Sequence, residues 1–190
     1  MKKIVRELLS REDYDALLKL AVPHGGKISG HLIHLLSGLD ETLRWRAVKA
    51  LGLVSYQLFQ ENPEKTRRIL RQLLWNLNEE SGGIGWGMPE AMGEILASNP
   101  QLIVEYGCLL ISYLTEEECF LENEVLQKGV IWAIGRVKDF SPDLIAKVIP
   151  FLISARNHPD PSMRAAAAWT LRELGWKESL ENIKQGGEKT

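Results

Sequence analysis

Four stretches of this sequence align with one another across most of its length. They are Trp45-Arg46-Ala47-Val48-Lys49-Ala50-Leu51-Gly52, Trp86-Gly87-Met88-Pro89-Glu90-Ala91-Met92-Gly93, Lys128-Gly129-Val130-Ile131-Trp132-Ala133-Ile134-Gly135 and Met163-Arg164-Ala165-Ala166-Ala167-Ala168-Trp169-Thr170. In this alignment Ala50 recurs as Ala91, Ala133 and Ala168, at intervals of 41, 42 and 35 residues. Such a spacing is the length of a two-helix unit and too long for a coiled-coil heptad or a propeller strand, so each copy reads as a helical hairpin stacked on the next. A small side chain at the centre of each second helix allows close approach of its neighbour. Gly52, Gly93 and Gly135 follow the same packing logic, although glycine inside a helix costs about 1 kcal/mol relative to alanine.

Helix starts support the same organisation. Asn62-Pro63, Asn99-Pro100, Ser141-Pro142 and Asp160-Pro161 each set a good N-cap before a proline at the first helical position, where its missing N–H is not needed. Thr115-Glu116-Glu117-Glu118 has the form of a capping box, and Ser10-Arg11-Glu12-Asp13 a weaker version of one. Helices are therefore predicted near residues 2–9, 11–21, 28–38, 41–60, 63–78, 86–98, 100–114, 117–138, 142–155, 161–175 and 177–184, and no stretch alternates as a strand does. The fold class is all-α: a short α-α superhelix of about four to five hairpins in one domain over residues 1–185, followed by a tail at 186–190.

The segment Asp160-Pro161-Ser162-Met163-Arg164 through Gly175 resembles the HEAT-like repeat of the phycobilisome-lyase type. The segment from Asp40 to Gly52 resembles it too, with Asp40, Arg46, Ala47, Ala50, Leu51 and Gly52 in the places the pattern expects, whereas Gly87 and Gly129 stand where it expects arginine. The chain as a whole, and the stretch Asn78-Glu79-Glu80-Ser81-Gly82-Gly83-Ile84-Gly85-Trp86 in particular, is similar to small bacterial HEAT-like proteins without an assigned activity. The resemblance implies a HEAT-like solenoid and leaves the chemistry open.

A net charge of -2 supplies no global positive field, which disfavours binding driven by phosphate contacts. The amino end, Met1-Lys2-Lys3-Ile4-Val5-Arg6-Glu7, is too soon interrupted by charge for a signal-peptide core, and no run of about 18 apolar residues occurs. The expectation is a cytoplasmic chain without a membrane segment. Cys108 and Cys119 lack C-x-x-C spacing and read as reduced packing residues.

Candidate binding residues come from the face of the second helices opposite the alanines. At helical spacing that face carries Trp45 and Lys49 in the first unit, Trp86, Glu90 and Glu94 in the second, and Lys128, Trp132 and Arg136 in the third. Stacking places these stripes side by side on the concave surface. Gly87 and Gly129 open room for a shallow central pocket there, while Arg46 and Arg164 stay at its ends. Tryptophan and arginine anchors dominate many interfaces, yet large aromatics also fill gaps between repeats, and both readings stand. The glycine-rich run Ser81-Gly82-Gly83-Ile84-Gly85-Trp86-Gly87 reads as a turn permitting unusual backbone angles. It lacks the Lys-Ser/Thr ending of a phosphate loop.

His31 and His34 stand one turn apart without a third ligand, so no metal and no cofactor are expected. No ordered nucleophile, base and orienting group is visible, and no catalytic residue is assigned. The sequence thus points to a non-enzymatic interaction module or scaffold that takes a protein partner on its concave face. Two alternatives come from resemblance. HEAT-like alkylpurine DNA glycosylases hold a cationic base with tryptophans and a carboxylate, roles open to Trp45, Trp86, Trp132 and Glu90. The lyase-type repeat implies a cofactor or chromophore binder.

Overall fold

The computed structural model describes residues 1–78, 85–137 and 139–176. Among these the chain folds as α1 (Lys2–Ser10), α2 (Tyr14–Leu36), α3 (Glu41–Glu61), α4 (Pro63–Asn78), α5 (Met88–Ser98), a short 3-10 turn (Pro100–Leu102), α6 (Ile103–Ser112), α7 (Glu124–Arg136), α8 (Pro142–Ala155) and α9 (Pro161–Glu173), with no strand. The all-α solenoid expected from the repeat is the observed architecture. The helix predicted at 177–184 and the tail at 186–190 lie outside the described residues.

Two rows of helices share one core, which runs without a gap from Val5 in α1 to Leu171 in α9. The row of second helices is α3, α5, α7 and α9, each packed on the next, with α2 against α3 at its amino end. Behind it α4 packs on α3 and α5, α6 on α5 and α7, and α8 on α6 and α9. A bidentate ion pair joins α4 to α6 on the outside, where Arg67 Nε and Nη2 donate to the Glu105 carboxylate at 2.7 and 2.6 Å.

The glycines of the inner row do what the repeat requires. A Cβ on Gly93 would lie 2.6 Å from both Cα and Cβ of Ala133, and one on Gly135 would lie 2.5 Å from the Trp169 ring. Contact that close lets α5 meet α7 almost backbone to backbone, and lets the Trp169 and Thr170 side chains of α9 lie directly on α7.

Several expectations from the sequence shift. The segments 11–21 and 28–38 form one element, α2, bent at His24 (φ -129°, ψ 20°) just after Pro23. Proline removes a helical donor and crowds the preceding turn, which bends the helix without ending it. The start of α2 is capped by Asp13, whose Oδ1 accepts from Ala16 N at 3.0 Å, while Ser10 Oγ donates back to Arg6 O within α1. The helix predicted from 117 begins only at Glu124. Asn123 is its cap, accepting from Val125 N and Leu126 N at 3.0 and 3.3 Å, and the Thr115 segment closes a turn in which Glu118 N donates to Thr115 O. The intervening loop is pinned from below, since Leu121 N donates to the buried Tyr113 O and Gln127 Nε2 to Leu121 O. Finally, Cys108 and Cys119 are exposed, so neither is the packing residue expected.

Candidate functional site

Measured from the N-caps, the fourth unit is offset from the alignment of the sequences. Ala50 lies ten residues after the cap Asp40 and Ala133 ten after Asn123, so the matching residue after Asp160 is Thr170. Thr170 is fully buried and its Oγ1 donates to Ile131 O at 2.8 Å, whereas Ala168 is exposed. A short loop before Asp160 absorbs the difference. The same register puts Arg164 opposite Arg44, not Arg46, and adds Trp169 to the row formed by Lys49, Glu90 and Trp132.

Trp169 completes an aromatic row that the four-copy alignment missed. Trp45 on α3 meets Trp132 on α7 edge to face at 5.0 Å, and Trp132 stacks on Trp169 of α9 at 6.2 Å with 17° between the planes. Trp45 and Trp132 touch although α5 stands between their helices in the row, which makes this face concave at that point. The centre of the row is self-packed, so Trp132 is half-buried structural filling, while Trp45 keeps 38% of its surface exposed.

The other candidates divide. Glu94 accepts a two-pronged ion pair from Arg136, at 2.7 and 3.2 Å, and these two hold α5 to α7. Lys49 turns away toward α2, its Nζ 4.7 Å from the Tyr14 ring centroid. Gly129 is covered by the Glu90 carboxyl, whose Oε2 stands 2.7 Å from where a Cβ would be. An arginine there would evict Glu90.

What stays open is a cavity of about 270 Å³ at the amino-terminal ends of α3, α5 and α7. Trp45, Trp86 and Gly87 line it together with Glu90 and Lys128, and so do Glu41, Arg44, Val125 and Leu126. The expectation of a central pocket opened by Gly87 and Gly129 is corrected here: Glu90 fills the room at Gly129, and the cavity lies instead at the helix starts beside Gly87. Lys49, Glu94, Gly129, Trp132 and Arg136 do not line it. Gly87 is needed for its backbone: it caps α5 with φ +74°, a left-handed angle that disfavours any Cβ. Arg44 lies 5.9 Å from the Trp86 ring centroid and walls the cavity from α3.

Comparison with known proteins follows from this geometry. Residues 124–174 match the family model of the HEAT-like repeat, and residues 163–186 that of the PBS lyase HEAT-like repeat. Over residues 124–186 the chain carries HEAT-like repeats. Among solved structures, a designed armadillo repeat protein in complex with the peptide (KR)4 superposes with a TM-score of 0.58 at 18% identity, covering 97% of this chain and 77% of that one. An engineered protein gives 0.56 at 17% identity over 91% and 72% of the two chains. The archaeal HEAT-like repeats protein from Thermococcus onnurineus NA1 gives 0.40 at 16% identity over 94% and 67%. No curated protein matches the sequence.

The cavity holds two buried polar atoms, Trp86 Nε1 and Glu90 Oε2, that have no hydrogen-bond partner among the described residues. Burial pushes the Glu90 carboxyl up from its ordinary range, opposed by its own backbone N–H and by the charges of Arg44 and Lys128. Such groups are uncommon in folded chains, where a buried polar atom normally meets a protein group or an ordered water. The walls are flat and apolar, and the rim carries both signs of charge through Glu41, Arg44 and Lys128. Among the described residues no cluster of three or more His, Cys, Asp or Glu could hold a metal ion, and His34 Nε2 lies 2.9 Å from Lys2 Nζ. No single described helix is long and apolar enough to cross a membrane.

Proposed function

We propose that this chain is a non-enzymatic interaction module that holds a segment of a cytoplasmic protein partner across its inner helical row. The anchor is the cavity between Trp45 and Trp86. That cavity is the observation that carries the reading: an apolar slot with tryptophan walls, set in a rim of mixed charge, where the starts of α3, α5 and α7 come together. Tryptophan walls bind an inserted side chain over a large area with little loss of conformational freedom, and rim charges fix its register. The solenoid supports the reading by analogy, since the designed armadillo repeat protein of the same fold is in complex with a peptide.

Affinity capture from native extract tests it, comparing wild type with a Trp45→Ala/Lys128→Glu variant of unchanged circular dichroism. The expected result is a protein retained by wild type and reduced by about tenfold or more with the variant. Equal recovery by both would remove the site from this cavity. Salt-sensitive retention on DNA in place of protein would favour a nucleic-acid reading.

A further inference from the structure

A second and larger cavity, about 510 Å³, opens at the bend of α2 where α3 ends and α4 passes behind it. The bend itself builds it. Pro23 and His24 turn the helix, and Gly25 then rests on Leu58, whose Cδ2 lies 2.4 Å from where a Cβ would be. The apolar lining comes from Val22, Pro23, Leu58 and Ile69.

The formally charged lining, Lys27, Lys65 and Arg68, is one-signed, and the neutral Ser29 and Gln72 line the cavity beside it. His24, Lys27, Lys65 and Arg68 face the cavity, and no carboxylate lines it among the described residues. Lys65 is held by Glu61 at 2.6 Å. Lys27 and Arg68 make no hydrogen bond among the described residues, and Glu64, whose carboxyl feels the charge of Arg68, is hydrogen-bonded by Arg71 instead. Lys27 and Arg68 are thus cations beside an apolar hollow, and no side chain takes up their donors among the described residues.

We propose that this cavity binds a small organic anion with a phosphate monoester head and an apolar body. A dianionic head matches two uncommitted cations, with His24 and the Lys65 ammonium beside them, better than a single carboxylate does. An ammonium ligand would find no acceptor side chain of opposite charge. The apolar lining asks for a body attached to the head, and the volume falls within the range of small-molecule sites. This site shares no residue with the tryptophan cavity, so it stands or falls separately.

The test is a titration of the full chain with phenyl phosphate, following backbone amides by ¹⁵N–¹H correlation spectra, with inorganic phosphate and benzylamine in parallel. Saturable shifts confined to Val22–Ser29 and Lys65–Gln72 are expected. Phenyl phosphate should bind about tenfold more tightly than inorganic phosphate, and benzylamine should leave these resonances unmoved. A Lys27→Gln/Arg68→Gln variant, which removes two exposed side chains without hydrogen bonds, should keep its melting temperature and lose about tenfold or more in affinity. Shifts scattered over the surface, an equal response to benzylamine, or undiminished binding by the variant would each overturn the assignment. Co-sedimentation with phosphatidate vesicles without a response to phenyl phosphate would overturn it in favour of a lipid headgroup.

Discussion

Gly93 and Gly30 are both helix-interior glycines, and a methyl group added at each meets different surroundings. At Gly93 it would overlap the backbone of Ala133, and at Gly30 it meets open space. Gly93→Ala should therefore destabilise the chain by about 1–3 kcal/mol despite its better helix propensity, because overpacking forces α5 and α7 apart. Gly30→Ala should stabilise it by about 0.5 kcal/mol, with both read from urea denaturation. Glu90 makes the other residue-scale prediction. Its folded pKa lies above the ordinary glutamate value of 4.5, so the folded chain holds this proton more tightly than the unfolded chain. The associated stability is complete below the ordinary value and is lost as pH rises through the raised one. Glu90→Gln has no such loss, and its stability relative to wild type should rise as pH increases above the ordinary glutamate value. A constant difference above that value would show that Glu90 ionises as freely in the folded chain as in the unfolded one.

At the scale of the element, α7 decides between two readings of its own start. Asn123 accepts two backbone N–H groups, whereas the Thr115 hydroxyl only donates back to Ile111 O at 3.3 Å. Asn123→Ala should cost about 1 kcal/mol, while Thr115→Ala should stay within about 0.5 kcal/mol of wild type, both by thermal or urea melting. Thr115-x-x-Glu118 satisfies the capping pattern, but the buried Tyr113 and its bond to Leu121 N hold the chain in a loop past that point. Local pattern named a possible start, and a tertiary anchor chose the later one.

For the molecule as a whole, stacking makes stability a matter of neighbours, since each unit touches mainly the ones beside it. α9 is held to α7 by the Thr170 bond, the Trp169–Trp132 stack and the approach to Gly135. Trp169→Ala removes the last two contacts and should cost about 2–4 kcal/mol. The loss should remain local. Hydrogen exchange should quicken in α9 and the adjoining face of α7, leaving α1 to α3 as slow as in wild type. Uniform quickening would show a single cooperative unit in place of a linear array.

What the sequence determined by itself was the architecture, because it is encoded by short-range features: proline after a capping residue, alanine and glycine at a fixed spacing, apolar stripes with helical period. These act within one or two turns and need no knowledge of the partner helix. The missing side chains at Gly87 and Gly129 were legible too, but they do not make the hollow: Gly87 serves a left-handed backbone angle, and Glu90 fills the space at Gly129. The tertiary structure alone decided which candidates share that hollow. Glu90 occupies the space vacated at Gly129, Glu94 and Arg136 neutralise each other, Lys49 turns to Tyr14, and Trp132 is enclosed between Trp45 and Trp169. Glu41 and Arg44 enter the cavity from the start of α3 and Val125 from the start of α7, an arrangement that no spacing along one helix contains. The fourth-unit offset shows the same limit. Aligning Trp169 with its row required the distance from Asp160, and that cap becomes a ruler only once the helix it begins is seen packed against α7.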